Sequence, residues 1–170
     1  MALREILKYP NPILRKKAAK VTEFDESLQE LVADMEETMY DAPGVGLAAP
    51  QIGISLQVVI MDITEREEDA ELIVLVNPEI SEGEGSDVDE EGCLSVVDLT
   101  AKVKRFTKIR VTAQDIEGNP LDFIAEDWYA RVIQHETDHL NGTLFIDHLS
   151  SLKRSMYKKK RKKQLAQEQA

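Results

Sequence analysis

The chain is poor in three things: its 170 residues include one cysteine, three histidines and no long uninterrupted apolar run. A single thiol, Cys93, cannot close an internal disulfide, which excludes a cross-linked secreted scaffold and fits a reducing compartment. The opening segment MALREILKYPNPILRKKAAKV has a charge interrupting every apolar stretch, so it lacks the run that a secretory signal or membrane-spanning helix needs. The expected location is the cytoplasm. With histidine this scarce, two of them within five positions carry weight.

What is present suits a folded domain. Hydrophobic residues make up 42% and charged residues 31%, values that exclude a disordered chain, and the length is enough to bury one core around one active site. The net charge of -11 is uneven, because residues 153 to 170 hold eight Lys or Arg against one acid, Glu168. That tail is +7 and the remainder -18. An acidic body repels nucleic acid, while a basic tail can hold a phosphate-rich partner through a salt-sensitive contact; a solvated helical extension is the plainer alternative.

Residues 25 to 41 place Leu28, Leu31, Val32, Met35 and Met39 at three- and four-residue spacings, which predicts an amphipathic helix ended by Asp41-Ala42-Pro43-Gly44. The Gly-rich stretch Gly44 to Gly53 follows, and its small residues permit close backbone approach. Strands are expected at 55 to 63 and 71 to 77, separated by a charged turn from Thr64 to Asp69 and closed by Pro78 as a breaker. The acidic run from Ser81 to Gly92 reads as a loop, with short strands after it at 94 to 97, 101 to 104, 109 to 113 and 121 to 124.

A second helix is expected from about Glu126 to Leu140, stopped by Asn141-Gly142, and a third from about Leu149 carries the basic run. Strands in the middle and helices toward the ends describe an α+β fold: antiparallel sheets packed around a central helix, with an N-terminal and a C-terminal helix.

The chemistry sits on the second helix. Residues 135 to 139 read His-Glu-Thr-Asp-His, and positions i and i+4 lie one turn apart on one side, so both imidazoles can reach one ion. Glu136 beside them can take a proton from water at that ion and deliver it to a leaving amine. A catalytic ion of this kind wants three protein ligands and one open position. Downstream, position 145 of an extended protease pattern is Phe145, and the only later Glu is Glu168 in the basic tail. Asp147 and His148 follow the helix stop too closely to fold back easily. Upstream, Cys93 stands at the start of an expected strand, beside Gly92, and becomes the candidate third ligand. These residues alone reach metal-dependent hydrolysis.

Three segments, Gly44-Val45-Gly46-Leu47-Ala48-Ala49-Pro50-Gln51, Glu91-Gly92-Cys93-Leu94-Ser95 and Gln134-His135-Glu136-Thr137-Asp138-His139-Leu140, together resemble the peptide deformylase family. Ile6-Leu7-Lys8-Tyr9-Pro10, Leu14-Arg15 and Asn77-Pro78 extend the likeness over about the first 150 residues. The resemblance implies a catalytic domain over residues 1–150 and a basic helical extension over 151–170. It implies removal of the formyl group from the formyl-methionine of new polypeptides, releasing formate.

By the same likeness, Cys93, His135 and His139 ligate the metal and Glu136 is the acid-base. Gln51 and the backbone N–H of Leu94 then donate to the oxyanion. Val45, Gly46 and Gly92 are the implied contacts of an extended peptide, and Val132, one turn before His135 and Glu136, is placed to line the methionine pocket. The implied ion is ferrous iron in the cell, with zinc, nickel or cobalt in preparations. The implied partners are formyl-methionyl nascent peptides, and the ribosome through residues 153–163. Two positions depart from the family pattern: Val97 stands where Pro is common, and Thr100 where an Arg that helps bind peptide is common. A family-like metallohydrolase with altered peptide substrates is therefore the alternative.

Overall fold

The structure is a computed structural model that describes residues 2–64 and 70–169. Helix α1 (Glu26–Asp41) starts where the Asp25 carboxylate accepts the Leu28 N–H, and it buries Leu28, Leu31, Val32, Met35 and Met39 as the spacing predicts. Five strands form one antiparallel sheet in the order β1 (Gly46–Ala48), β2 (Val58–Met61), β3 (Ile73–Glu84), β6 (Lys108–Gln114) and β7 (Pro120–Glu126). Strands β4 (Asp87–Cys93) and β5 (Val96–Arg105) form a separate antiparallel pair. Helix α2 (Asp127–Leu140) follows the last strand, and α3 (Ser151–Glu168) closes the chain.

The larger sheet is covered on both faces, which explains the unbroken apolar run of β2. Val58 and Ile60 pack with α1, Leu47 and Val76, while Val59 and Met61 pack with Leu75, Ile109, Val111 and the α2 residues Ala130 and Ile133. A third cluster joins Val96 and Val103 of β5 to Leu14, Phe145, Ile146 and Tyr157 of α3. Helix α2 is thus central, as expected for this α+β architecture. It ends at Leu140 with Asn141 as its cap, and Gly142 follows at φ 73°, where an added Cβ would run into the Arg15 carbonyl.

Three expectations are corrected. The acidic run from Ser81 to Gly92 is not a loop: it supplies the end of β3 and nearly all of β4. In the register Asp87 stands opposite Arg105 and Glu90 opposite Lys102, within a largely exposed ribbon whose polar faces carry no strand signature. Pro78 does not end its strand. It sits inside β3 where the register with β6 shifts between Val76 and Glu79, next to Asn77 at φ 52°, so its missing N–H costs no ladder bond. Leu94 and Ser95 form the turn between β4 and β5, and Cys93 therefore ends a strand instead of starting one. Of the charged turn, residues 65 to 69 lie outside the described residues.

Candidate metal centre and cleft

The i, i+4 spacing on α2 brings the His135 and His139 rings to 5.2 Å between centroids. The β4–β5 turn delivers Cys93 against them, and its sulfur lies 3.4 Å from His139 Nε2. The three ligand atoms all fall within 4.8 Å of one another. A tetrahedral ion with ordinary sulfur and nitrogen bond lengths would separate those two atoms by about 3.6 Å. One thiol and two imidazoles are also the donor types of catalytic metal sites, so the residues present fit a divalent ion.

Two of the three candidate ligands, His135 and Cys93, are held from behind, while His139 Nδ1 is buried with no partner among the described residues. His135 Nδ1 bonds to Glu91 Oε1 at 2.9 Å, which turns Nε2 toward the cluster. Glu91 is buried and also accepts Arg105 Nε and Nη2 at 2.9 Å each and Arg131 Nη1 at 2.6 Å. Arg105 Nη1 reaches on to Asp138 at 2.6 Å, and His148 Nε2 bonds to the same carboxylate at 2.9 Å. The Cys93 sulfur accepts the Ser95 N–H at 3.4 Å and faces Gln51 Nε2 at 3.7 Å. Gln51 is itself pinned: its Oε1 accepts the Ala48 N–H at 2.9 Å, and its Nε2 donates to Ser95 Oγ at 3.0 Å.

The electrostatics follow from burial and these bonds. Burial would push His135 down, but its bonds to the Cys93 sulfur and to Glu91 outweigh that and raise it to about 10. Burial and the charge of His135 push His139 well below the ordinary histidine value. Burial raises Glu136 to about 7, against the opposing charge of His135. Glu136 Oε2 is buried without a hydrogen-bond partner among the described residues, and Glu136 lies across Gly46, where an added Cβ would be 2.8 Å from Oε1. An unpaired buried carboxylate beside three ligand atoms is poised for a water molecule.

Burial would also raise Glu91, but its bonds to His135 and Arg105 hold it down at about 2. It contributes stability that is complete above about pH 4.5 and is lost as pH falls toward about 2. Replacing Glu91 with Ala is expected to cost about 3–5 kcal/mol by stranding buried arginine charge, as read by denaturant unfolding at neutral pH. A loss under about 1 kcal/mol, the scale of an exposed pair, would contradict this.

A cavity of about 830 Å³ opens onto this cluster. Val45, Gly46, Gln51, Gly92, Cys93, Leu94, Val132, His135 and Glu136 all line it, and Val97 and Thr100 stand in its wall. Val132 also packs in the core under α2. Strand β1 is an edge strand of the larger sheet, so an extended chain can run beside it. Asp147, weighed as a ligand, instead pairs with Arg15, and His148 pairs with Asp138. The sequence reading gave no role to Glu91, Ser95, Arg105 or Arg131. Arg131 could have been noticed one turn before His135, on the face that bears it.

Fold and site together define a metal-dependent hydrolase, with a His-Glu-x-x-His helix completed by a thiol from a strand end. The family profile described as polypeptide deformylase matches residues 3–155. A peptide deformylase of Desulfotalea psychrophila is 59% identical over 164 residues, 96% of this chain and 97% of that one. One from Pseudomonas aeruginosa is 46% identical over 99% of each. The crystal structure of a peptide deformylase from Legionella pneumophila superposes with a TM-score of 0.89 at 49% identity, covering 97% of this chain and 98% of that one. That of Ehrlichia chaffeensis in complex with actinonin gives 0.90 at 36%, covering 96% and 98%. The chain belongs to the peptide deformylase family.

Proposed function

We propose that this chain removes the formyl group from the formyl-methionine of newly made polypeptides, releasing formate and a free amino terminus. The observation that carries the reading is the unpartnered Glu136 carboxylate beside the Cys93, His135 and His139 cluster, at the floor of a cleft flanked by an edge strand.

Cys93, His135 and His139 would hold the ion, which when bound polarises the carbonyl and makes water a stronger nucleophile. Glu136 takes a proton from the attacking water and returns it to the leaving amine, a role suited to a carboxyl held near 7. As charge collects on the formyl oxygen, the backbone N–H of Leu94 donates to it, and so does the second N–H of Gln51, which otherwise faces the Cys93 sulfur at 3.7 Å. The first Gln51 N–H, on Ser95, fixes the direction of the amide. Val45, Gly46 and Gly92 contact the extended peptide, and Val132 lines the methionine pocket.

Ferrous iron is the proposed ion in the cell, with zinc, nickel or cobalt able to occupy the same donors. Residues 1–150 form the proposed catalytic unit and 151–170 the basic extension, acting in the cytoplasm. Among the described residues, no helix is long and apolar enough to cross a membrane. The lysines of residues 153–163 are proposed to meet the ribosome. Charge reversal at the exposed Lys159, Lys162 and Lys163 should weaken co-sedimentation with ribosomes in a salt-dependent way, and binding indifferent to both would exclude the contact.

The reaction is tested with formyl-Met-Ala-Ser and with the same peptide unformylated. Formate should appear only from the first. Cleavage of internal bonds without formate would sink the proposal.

A further inference from the structure

The basic helix α3 is tied to the cleft by one of its faces. Tyr157, Lys160, Arg161 and Gln164 recur at three- and four-residue spacings and so share a side. The Tyr157 hydroxyl donates to the Val97 carbonyl at 3.0 Å, Lys160 Nζ to the Asp98 carbonyl at 3.1 Å, and Gln164 Nε2 to Asp98 Oδ2 at 3.1 Å. Arg161 Nε donates to the Tyr9 carbonyl at 2.8 Å and anchors the same face. Tyr157 is 3% exposed, so its ring is part of the third core cluster while its hydroxyl holds the backbone beyond.

The segment that receives these bonds is cleft wall. Val97 and Asp98 line the cavity with Leu99 and Thr100. Asp98 takes φ 57°, a left-handed conformation that a non-glycine residue keeps only where its surroundings hold it. No proline stiffens residues 93 to 105. The shape of this wall is therefore held from outside, by a helix that, among the described residues, donates no hydrogen bond to the ligand cluster or to Glu136, although Tyr157 shares the third core cluster with Cys93.

We propose that Tyr157, Lys160 and Gln164 are positioning residues for substrate: they hold the Val97–Asp98 wall in the shape that receives the peptide residues following formyl-methionine. This rests on the reading of the cavity as the peptide cleft. It makes α3 part of the substrate-binding apparatus, so a partner that pulled on the basic helix would alter peptide affinity.

The test is the metal-loaded full chain carrying Tyr157→Phe and Gln164→Ala, which keeps the buried ring and removes two donors. With formyl-Met-Ala-Ser as substrate, KM should rise roughly five- to tenfold, the size that two ordinary hydrogen bonds allow. Metal per chain and kcat should not change. With formyl-methionine amide, too short to reach the wall, KM should also stay unchanged. Gln167→Ala changes an exposed position on the same helix, with no side-chain bond to the wall among the described residues, and should leave both substrates unaffected. An unchanged KM for the tripeptide would overturn the proposal, and so would a matching loss of kcat or metal, which would place the effect at the metal centre. Failure of the unsubstituted chain to release formate would instead sink the underlying reading of the cleft.

Discussion

Replacing Glu136 with Ala is expected to lower kcat by about a thousandfold or more while leaving one metal ion per chain, since general acid-base catalysis contributes on the order of 10²–10⁴. Glu136 is not among the three clustered ligand atoms, so its removal leaves the metal donors intact. What it removes is the only carboxylate among the described residues lining the cluster that has a buried, unpartnered oxygen. Gly46→Ala offers a second route to the same end, because the new methyl would meet the Glu136 carboxylate at 2.8–3.0 Å and displace it. That variant should also keep its metal and lose turnover more than substrate affinity. Steady-state kinetics with metal analysis checks both. A Glu136→Ala enzyme within tenfold of the parent kcat would remove Glu136 from the chemistry.

Cys93→Ser is expected to lose both metal and activity, by a different route. A thiol ionises readily at a metal, whereas a serine hydroxyl is far less acidic and a weaker donor, and the side chain it replaces is one of the three proposed ligands. The loss reaches further, because Ser95 N–H and Gln51 Nε2 both face the Cys93 sulfur. The fold itself should survive, since the exchange is nearly isosteric and Cys93 is only half-buried. Metal per chain should fall well below one equivalent, with no formate release above background. A Cys93→Ser protein that retains a full equivalent would show that the ligand set is wrong.

The two variants separate the roles that sequence alone could only partly assign. The His-Glu-x-x-His spacing was legible because helical geometry fixes which residues share a face, and α1 was legible for the same reason. Cys93 was reachable by exclusion, through Phe145 and the isolation of Glu168, although its strand was misplaced. The residues that brace the centre were not reachable. Glu91, Arg105 and Arg131 come together only through the register of β4 on β5 and the packing of α2 against that pair. A run of acids without apolar alternation gives no hint of that register. The docked face of α3 was hidden likewise, since Tyr157 and Arg161 are buried within a stretch of lysines that reads as solvated throughout.

The most direct measurement pairs metal content with formate release from one anaerobically prepared sample, before and after chelation and after the metal is restored. One equivalent per chain, formate release that disappears with the metal, and recovery when it returns are expected of a Cys93-His135-His139 centre. Undiminished formate release from a fully chelated chain would contradict it.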